Sequence, residues 1–146
     1  MLDSEDTPCK LLGIALKLWG LENSKSTDRL IVYRPTLQHG IISTLIEKYK
    51  QYLPALEPAL EPLKYYDCID TCIEMMKMSG ILEYLSTSRG SWLYPTIRND
   101  TKEYIAKEMD RIFADNPEAR EKFIELSNEL GDELRKARDS KVPNFS

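Results

Sequence analysis

Prolines recur at every fourth position in the segment QYLPALEPALEPLKYYDC, which spans residues 51–68. The residues between Pro54, Pro58 and Pro62 are alanine, leucine and glutamate, which are strong helix formers. A proline inside a helix lacks the amide proton, clashes with the preceding turn and costs about 3 kcal/mol. It also pushes the residue before it out of the α region. Residues 53–62 are therefore not expected to form one continuous helix.

We interpret this segment as a stiff connector between two helices. The preceding helix is predicted from about Ile41 and ends near Leu53. Either Pro58 or Pro62 is predicted in the first turn of the next helix, where a missing amide proton costs nothing. A plain surface loop is the alternative, which predicts the same break but no defined helix start after it.

Two helices on either side of this region are predicted from apolar residues at helical spacing. The first begins at Thr7 and Pro8, as a cap and a first helical residue, and Gly20 stops it. The third helix runs from the prolines to about Ser79. Its inward stripe is predicted to consist of Tyr66, Ile69, Ile73 and Met76.

Strand signals flank the third helix on both sides. Residues 29–34 form a short run of β-branched and aromatic side chains that is closed by Pro35. Residues 81–85 and 92–97 bracket a turn rich in serine and glycine, which is typical of a β-hairpin. We predict that the lone strand pairs with this hairpin in a small sheet.

This order of elements resembles the winged helix-turn-helix superfamily. The residues that carry the resemblance are 29–34 for the lone strand, 65–79 for the third helix and 81–97 for the wing. The fold class is therefore expected to be mainly α with a small β-sheet, in the order α-β-α-α-β-β, followed by two C-terminal helices. The rival prediction is an all-α bundle in which residues 81–97 are a loop. The connections between the first three helices are longer than a compact helix-turn-helix needs.

The resemblance divides a single 146-residue domain into a winged-helix-like core at 7–97 and a C-terminal helical extension at 98–140. In the extension, Asp100 and Glu103 predict a capping box, and Asn116 and Pro117 begin the last helix. Gly131 is expected to weaken that helix. Its apolar stripe is longer than the core needs, which predicts a homodimer with a seam formed by Phe123, Leu126, Leu130 and Leu134.

In winged-helix regulators the third helix usually enters the DNA major groove. Here the side chains off its apolar stripe are acidic on balance, which a phosphate-lined groove would repel; they comprise Lys64, Asp67, Asp70, Thr71, Glu74 and Lys77. The net charge of −4 points the same way. We therefore predict a non-enzymatic protein-interaction module or adaptor whose partner-binding residues are Tyr65, Asp67, Asp70 and Glu74.

The alternative is a small dimeric DNA-binding regulator. Residues 25–64 are the only basic section of the chain, and any anion-binding face is expected to use Lys25, Arg29, Arg34, Lys48, Lys50 and Lys64. The wing adds Arg89, although a serine and glycine turn is also simply a solvated hairpin tip. The nucleic-acid contacts under this alternative are Arg34, Lys48, Lys50 and Arg89.

Signals for an active site or a cofactor are weak. The three cysteines could form a Cys3His zinc site with His39, but the four residues are scattered, and buried structural cysteines are the commoner case; they are Cys9, Cys68 and Cys72. No metal, cofactor or catalytic residue is therefore predicted. The acidic N-terminus, an odd cysteine count and the lack of an apolar run of about 18 residues predict a cytoplasmic protein that does not cross a membrane.

Overall fold

The computed structural model describes residues 7–22, 32–38, 40–87 and 90–140. Within these ranges the chain is mainly helical with a small β-sheet, as the sequence predicts. The helices are α1 (Thr7–Glu22), α2 (Ile41–Tyr49), α3 (Glu57–Leu60), α4 (Tyr66–Met78), α5 (Thr101–Ile112) and α6 (Pro117–Asp139). The strands are β1 (Val32–Tyr33), β2 (Leu82–Thr87) and β3 (Gly90–Pro95). Short 3-10 turns cover Arg34–Gln38, Lys50–Tyr52, Pro54–Leu56 and Glu61–Lys64.

The sheet has three antiparallel strands in the order β1-β3-β2. Val32 lies opposite Leu93 across the β1–β3 pair, and Leu82 lies opposite Pro95 across the hairpin. The predicted pairing of the lone strand with the hairpin is therefore confirmed, and the all-α bundle is wrong. The strand predicted at 29–34 ends at Tyr33, one residue earlier than predicted, because a 3-10 turn begins at Arg34; residues 29–31 lie outside the described residues.

The three prolines occupy three separate turns. Pro54, Pro58 and Pro62 each lie in the first two positions of a short helical segment, where the missing amide proton leaves no hydrogen bond unmade. Leucines at a spacing of three and four residues point inward throughout, and all of them are buried: Leu53, Leu56, Leu60 and Leu63. The connector is therefore a series of short helical turns whose leucines are buried in the core. It is neither one continuous helix nor an irregular loop.

The predicted start of the third helix at Pro58 or Pro62 is wrong. The corresponding helix is α4, which begins at Tyr66 after Tyr65 in an extended conformation with φ −108° and ψ 133°. A new short helical turn begins at or just before each proline, and the last of these turns ends before α4 begins.

The predicted start of the last helix is confirmed. Asn116 accepts a hydrogen bond from the Ala119 amide at 3.0 Å, at the start of α6.

The capping box predicted from Asp100 and Glu103 is wrong. Asp100 directly precedes α5, but its side chain makes no capping hydrogen bond. The side chain that closes this turn is Thr101, whose Oγ1 accepts a hydrogen bond from the backbone N–H of Arg98 at 2.8 Å. Thr101 is buried, so the turn is fixed by a local bond on the inner side of the helix.

Helix α6 forms a wall of the core. The residues predicted as a dimer seam are buried inside the single chain, between 0% and 5% exposed, namely Phe123, Leu126, Leu130 and Leu134. One cluster of buried side chains runs through the described residues from Leu11 to Leu134, so the boundary at residue 97 does not separate a core from an extension. The predicted dimer seam at these four residues is therefore wrong. An apolar stripe shows that one side of a helix is covered, but it does not show whether the same chain or a second copy covers it. Homodimerisation itself stays a prediction, and no surface is assigned to it.

Trp19 explains why glycine occupies position 131. A Cβ atom at Gly131 would lie 2.1 Å from Cδ1 of Trp19, so the indole of α1 lies directly on the backbone of α6. The indole Nε1 donates a hydrogen bond to Asp132 at 2.9 Å, and the guanidinium of Arg135 lies 5.6 Å from the ring centroid. Gly131 was expected to weaken the helix, and its role instead is to permit this contact.

Gly20 was expected to end the first helix, but α1 continues to Glu22. A Cβ atom at Gly20 would lie 3.2 Å from Cδ1 of Ile97 and 3.4 Å from Cγ of Pro95. The end of strand β3 therefore approaches α1 closely at this point. The packing of the sheet against α1 accounts for a glycine inside the helix.

Replacing Gly131 with alanine is expected to destabilise the protein strongly. The new methyl group overlaps the Trp19 ring, and overpacking of this kind outweighs the gain of about 1 kcal/mol in helix propensity. We expect a net loss of about 3 kcal/mol or more in the free energy of unfolding, with a melting temperature about 10 °C lower.

The matched control is Gly20→Ala in α1. Its methyl group meets the end of the Ile97 side chain, which is 38% exposed and free to move, so a change within about 1 kcal/mol is expected. Chemical denaturation of both variants measures the difference. Equal stability of Gly131→Ala and the wild type would contradict the close contact between α1 and α6.

Candidate functional site

Helix α4 turns one side into the core and leaves the other open. Its buried residues are Ile69, Cys72, Ile73 and Met76. The opposite side repeats at intervals of four, three and four residues, so its members lie above one another along the helix. We call this side the outer face of α4, and it is formed by Asp67, Thr71, Glu74 and Met78, all of which are exposed.

Large apolar side chains lie on and beside the outer face. Met78 is 89% exposed, and Met75, one position around the helix, is 44% exposed. Tyr65 and Tyr66 at the start of the helix are 63% and 59% exposed. Exposed apolar side chains that lie singly are ordinary, but several along one helix are typical of an interaction surface.

Sequence reasoning found only part of this surface. Tyr65 and Asp67 are exposed, as the predicted partner contacts require. Tyr66 was assigned to the inward stripe, and that is wrong, because it lies at the edge of the stripe at the first helical position. Met75 and Met78 were missed. Their exposure could have been predicted, because Met75 and Met78 are apolar residues that lie outside the stripe formed by Ile69, Ile73 and Met76.

The other two predicted partner residues are engaged within the chain. Nη2 of Arg34, at the end of β1, lies 2.7 Å from Oδ1 of Asp70 and 3.3 Å from Oε1 of Glu74. Glu74 also pairs with Lys77 at 3.1 Å, and the Lys77 ammonium lies 3.9 Å from the ring centroid of Tyr84. The hydrogen bond from Lys77, and then that from Arg34, lowers the pKa of Glu74. These contacts attach one edge of α4 to the strands.

The cations predicted to contact nucleic acid are also paired with carboxylates. Lys48 lies 2.5 Å from Glu129, and Lys50 lies 3.0 Å from Glu47. Lys64 pairs with Glu47 and, at 3.3 Å, with Glu61. Arg34 is held by Asp70 and Glu74. The remaining candidates, Lys25, Arg29 and Arg89, lie outside the described residues.

One of these pairs belongs to a partly buried contact between α2 and α6. The hydroxyl of Tyr49 donates a hydrogen bond to Glu129 at 2.9 Å, and the same carboxylate oxygen accepts from Lys48. Burial of Tyr49, together with Glu129, raises the pKa of its phenol to about 12. The hydrogen bond from Lys48 lowers the pKa of Glu129. Lys48 therefore has a structural role in joining these helices.

Two of the three cysteines form a disulfide bond. Cys9 of α1 is bonded to Cys72 of α4, with 4.9 Å between their Cα atoms, across a separation of 63 residues. Cys68 is free and half-buried, and burial raises the pKa of its thiol. The sequence predicted buried structural cysteines and gave no sign of a disulfide, so the bond between Cys9 and Cys72 was not predicted.

The disulfide also bears on the zinc hypothesis and on location. Within the ranges given above, no group of three or more histidine, cysteine or acidic side chains could hold a metal ion, and His39 lies outside them. Disulfides are rare in reducing compartments, so the cysteine argument for a cytosolic protein no longer applies. The cytoplasmic location stays a prediction.

The thiol count tests the cross-link. In protein purified without reductant and then denatured, we expect one reactive thiol, from Cys68, and three after reduction. Closing a loop of this length stabilises by about 4 kcal/mol through chain entropy, so reduction is expected to lower the melting temperature by more than about 10 °C. The Cys68→Ala variant is the control, with no reactive thiol before reduction. Three reactive thiols in the unreduced protein would contradict the structure.

Comparison of the chain with protein-family models, with curated proteins and with solved structures gave no match. The resemblance to winged-helix proteins therefore rests on the order of the elements. No helix in the described part of the chain is both long enough and apolar enough to cross a bilayer.

Proposed function

We propose that this protein is a non-enzymatic interaction module that binds a protein partner through the outer face of α4. The observation that carries the proposal is the exposure of Met78 and Met75 on a helix that is otherwise packed against the core, and of Tyr65 directly before that helix. Methionine and tyrosine are enriched at protein interfaces because they supply large contact areas. Because Met78 is 89% exposed, most of its apolar surface is removed from water only when a partner covers it.

The chemistry of the partner follows from the charges on the same face. Asp67 is exposed, and the Glu74 carboxylate keeps about half of its surface exposed despite its two cationic neighbours. The partner surface is therefore expected to offer an apolar groove for Met78 and Met75 with basic side chains at its rim. Helices that dock into grooves commonly use anchors of this kind at helical spacing.

The same face disfavours the reading of DNA. In a winged-helix regulator this helix would lie in the major groove, where Asp67 and Glu74 would meet phosphates. The described cations that were predicted to hold the backbone are already paired with carboxylates, and DNA binding would have to break those pairs. The DNA-binding alternative rests on the order of the elements and on the pairing of the lone strand with the hairpin. The observed strand order β1-β3-β2 includes that pairing, so DNA binding is tested as well.

The proposal predicts that a charge at Met78 abolishes partner capture. The full-length protein is used as bait in extract of its native cells, and retained proteins are quantified by mass spectrometry. Met78→Asp and Tyr65→Asp are expected to lower recovery of a specific partner at least about tenfold, because truncating or charging an interface anchor is costly. The fold is expected to be unchanged, since both side chains are exposed.

Tyr52→Asp is the matched control. Tyr52 is 47% exposed but lies against α6, with the Lys122 ammonium 4.7 Å from its ring centroid, so its replacement is expected to leave capture unchanged. Duplex DNA is tested in parallel at physiological salt, and weak binding is expected. A salt-sensitive, sequence-selective shift of duplex DNA at nanomolar protein, lost in an Arg34→Met, Lys48→Met variant, would instead favour the regulator.

A further inference from the structure

An apolar cavity of about 260 Å³ lies between α1, α4 and α5. Its walls are mainly hydrocarbon and thioether groups, from Ile14, Met75, Met76, Ile81 and Ile105. An enclosed apolar cavity of about 150 Å³ is enough to bind benzene. The space here is therefore sufficient for a larger hydrocarbon group, and it lies apart from the charged edge of α4 that faces Arg34.

Cationic groups lie around this apolar space. Lys10 and Lys17, which are seven residues and therefore about two turns apart on α1, both line the cavity. The Lys17 ammonium lies 5.9 Å from the ring centroid of Tyr104, which also lines the cavity and is 42% exposed. Lys10 pairs with Glu108 at 3.7 Å, and that carboxylate is also held by Arg111 at 2.6 Å.

Lys17 differs from the paired lysines elsewhere on this protein. Among the described residues, no carboxylate lies within ion-pairing distance of its ammonium group. Partial burial, and then repulsion from Arg98, lowers its pKa, and attraction to Asp100 opposes that effect only in part. The ammonium group of Lys17, which lines the cavity, is therefore partly buried and is repelled by Arg98. A bound anion would relieve this repulsion.

We propose that this cavity binds a small amphipathic monocarboxylate. The hydrocarbon part of the ligand fills the space between Ile14, Met76 and Ile105, and the carboxylate lies beside Lys17. A single negative charge matches this site, because Lys10 already pairs with Glu108, and Lys17 lines the cavity with no carboxylate of the described residues at ion-pairing distance. Met75 borders both this cavity and the surface proposed for the partner, whereas Lys17 lies on α1 and is not part of that surface.

Three probes of equal chain length test the proposal: octanoate, 1-octanol and octylamine. Each is titrated into the full-length protein, and binding is followed by NMR shifts of backbone amides in α1, α4 and α5. Octanoate is expected to bind about tenfold more tightly than 1-octanol, as a partly buried charged contact would give, and octylamine more weakly than either. Lys17→Met is expected to remove the preference for octanoate over 1-octanol, and Lys17→Arg to keep it.

Lys122→Met is the matched control, because Lys122 also lies over a tyrosine ring, that of Tyr52, but lines no part of this cavity. It is expected to bind all three probes as the wild type does. Equal affinity for octanoate and 1-octanol in the wild type would overturn the proposal. So would the absence of shifts near the cavity with every probe, or an equal loss of preference in Lys122→Met.

Discussion

The contact between the Trp19 indole and the backbone of Gly131 is the constraint on which the rest of the fold depends. With no Cβ at position 131, α1 and α6 approach closely, and the Trp19–Asp132 hydrogen bond at 2.9 Å fixes the orientation of the ring. The buried side chains of α1 are Leu11, Leu12, Ile14, Ala15, Leu16 and Trp19. The remaining elements are arranged around it.

Three further contacts of α1 position the parts of the molecule discussed above. The disulfide from Cys9 to Cys72 joins it to α4, and Gly20 admits the end of strand β3. The apolar cavity lies in the angle between α1, α4 and α5. Helix α4 is therefore held by the disulfide on one edge and by Arg34 on the other, which leaves its outer face as the open side.

Arg34 links the charge distribution of the chain to its proposed function. The sequence places a basic section before an acidic helix, which on its own is compatible with either an anion-binding face or an internal pairing. In the structure Arg34 bonds Asp70 and Glu74, and the hydrogen bond to Asp70 raises the pKa of its guanidinium. Arg34 thus attaches the strand to the helix and is not free for a phosphate. The exposed charges that remain on the outer face are acidic.

Local signals in the sequence predicted the elements whose cause is local. The β-branched run at 29–34 and the hairpin turn led to the correct sheet, and the prolines led to the correct break after α2. The series of short helical turns between α2 and α4 was not predicted. These turns depend on the packing of their leucines against the core, and that packing is not visible in the local sequence. Helix propensity similarly predicted that Gly20 ends the first helix and that Gly131 weakens the last one, whereas both glycines allow other elements to approach.

Contacts between distant parts of the chain could not be predicted from spacing. The disulfide joins residues 63 positions apart, and the Arg34 pairs span 36 and 40 positions. The stripe that contains Leu126 and Leu130 showed that one side of α6 is covered, but a second copy of the chain and α1 were equally compatible with it. The candidate site was found in part, through Tyr65 and Asp67, because acidic and aromatic residues on a helix are visible in sequence. Met78 was not, because exposure depends on which elements cover the helix.

Native-state amide hydrogen exchange tests most directly whether α6 is part of the core. If Trp19 and Gly131 join α1 and α6 into one unit, amides around Leu126 and Leu130 exchange with the same opening free energy as amides around Leu12 and Leu16. That free energy is expected to equal the free energy of global unfolding. Exchange of the α6 amides through a separate opening of lower free energy, with α1 and the sheet still protected, would contradict the account.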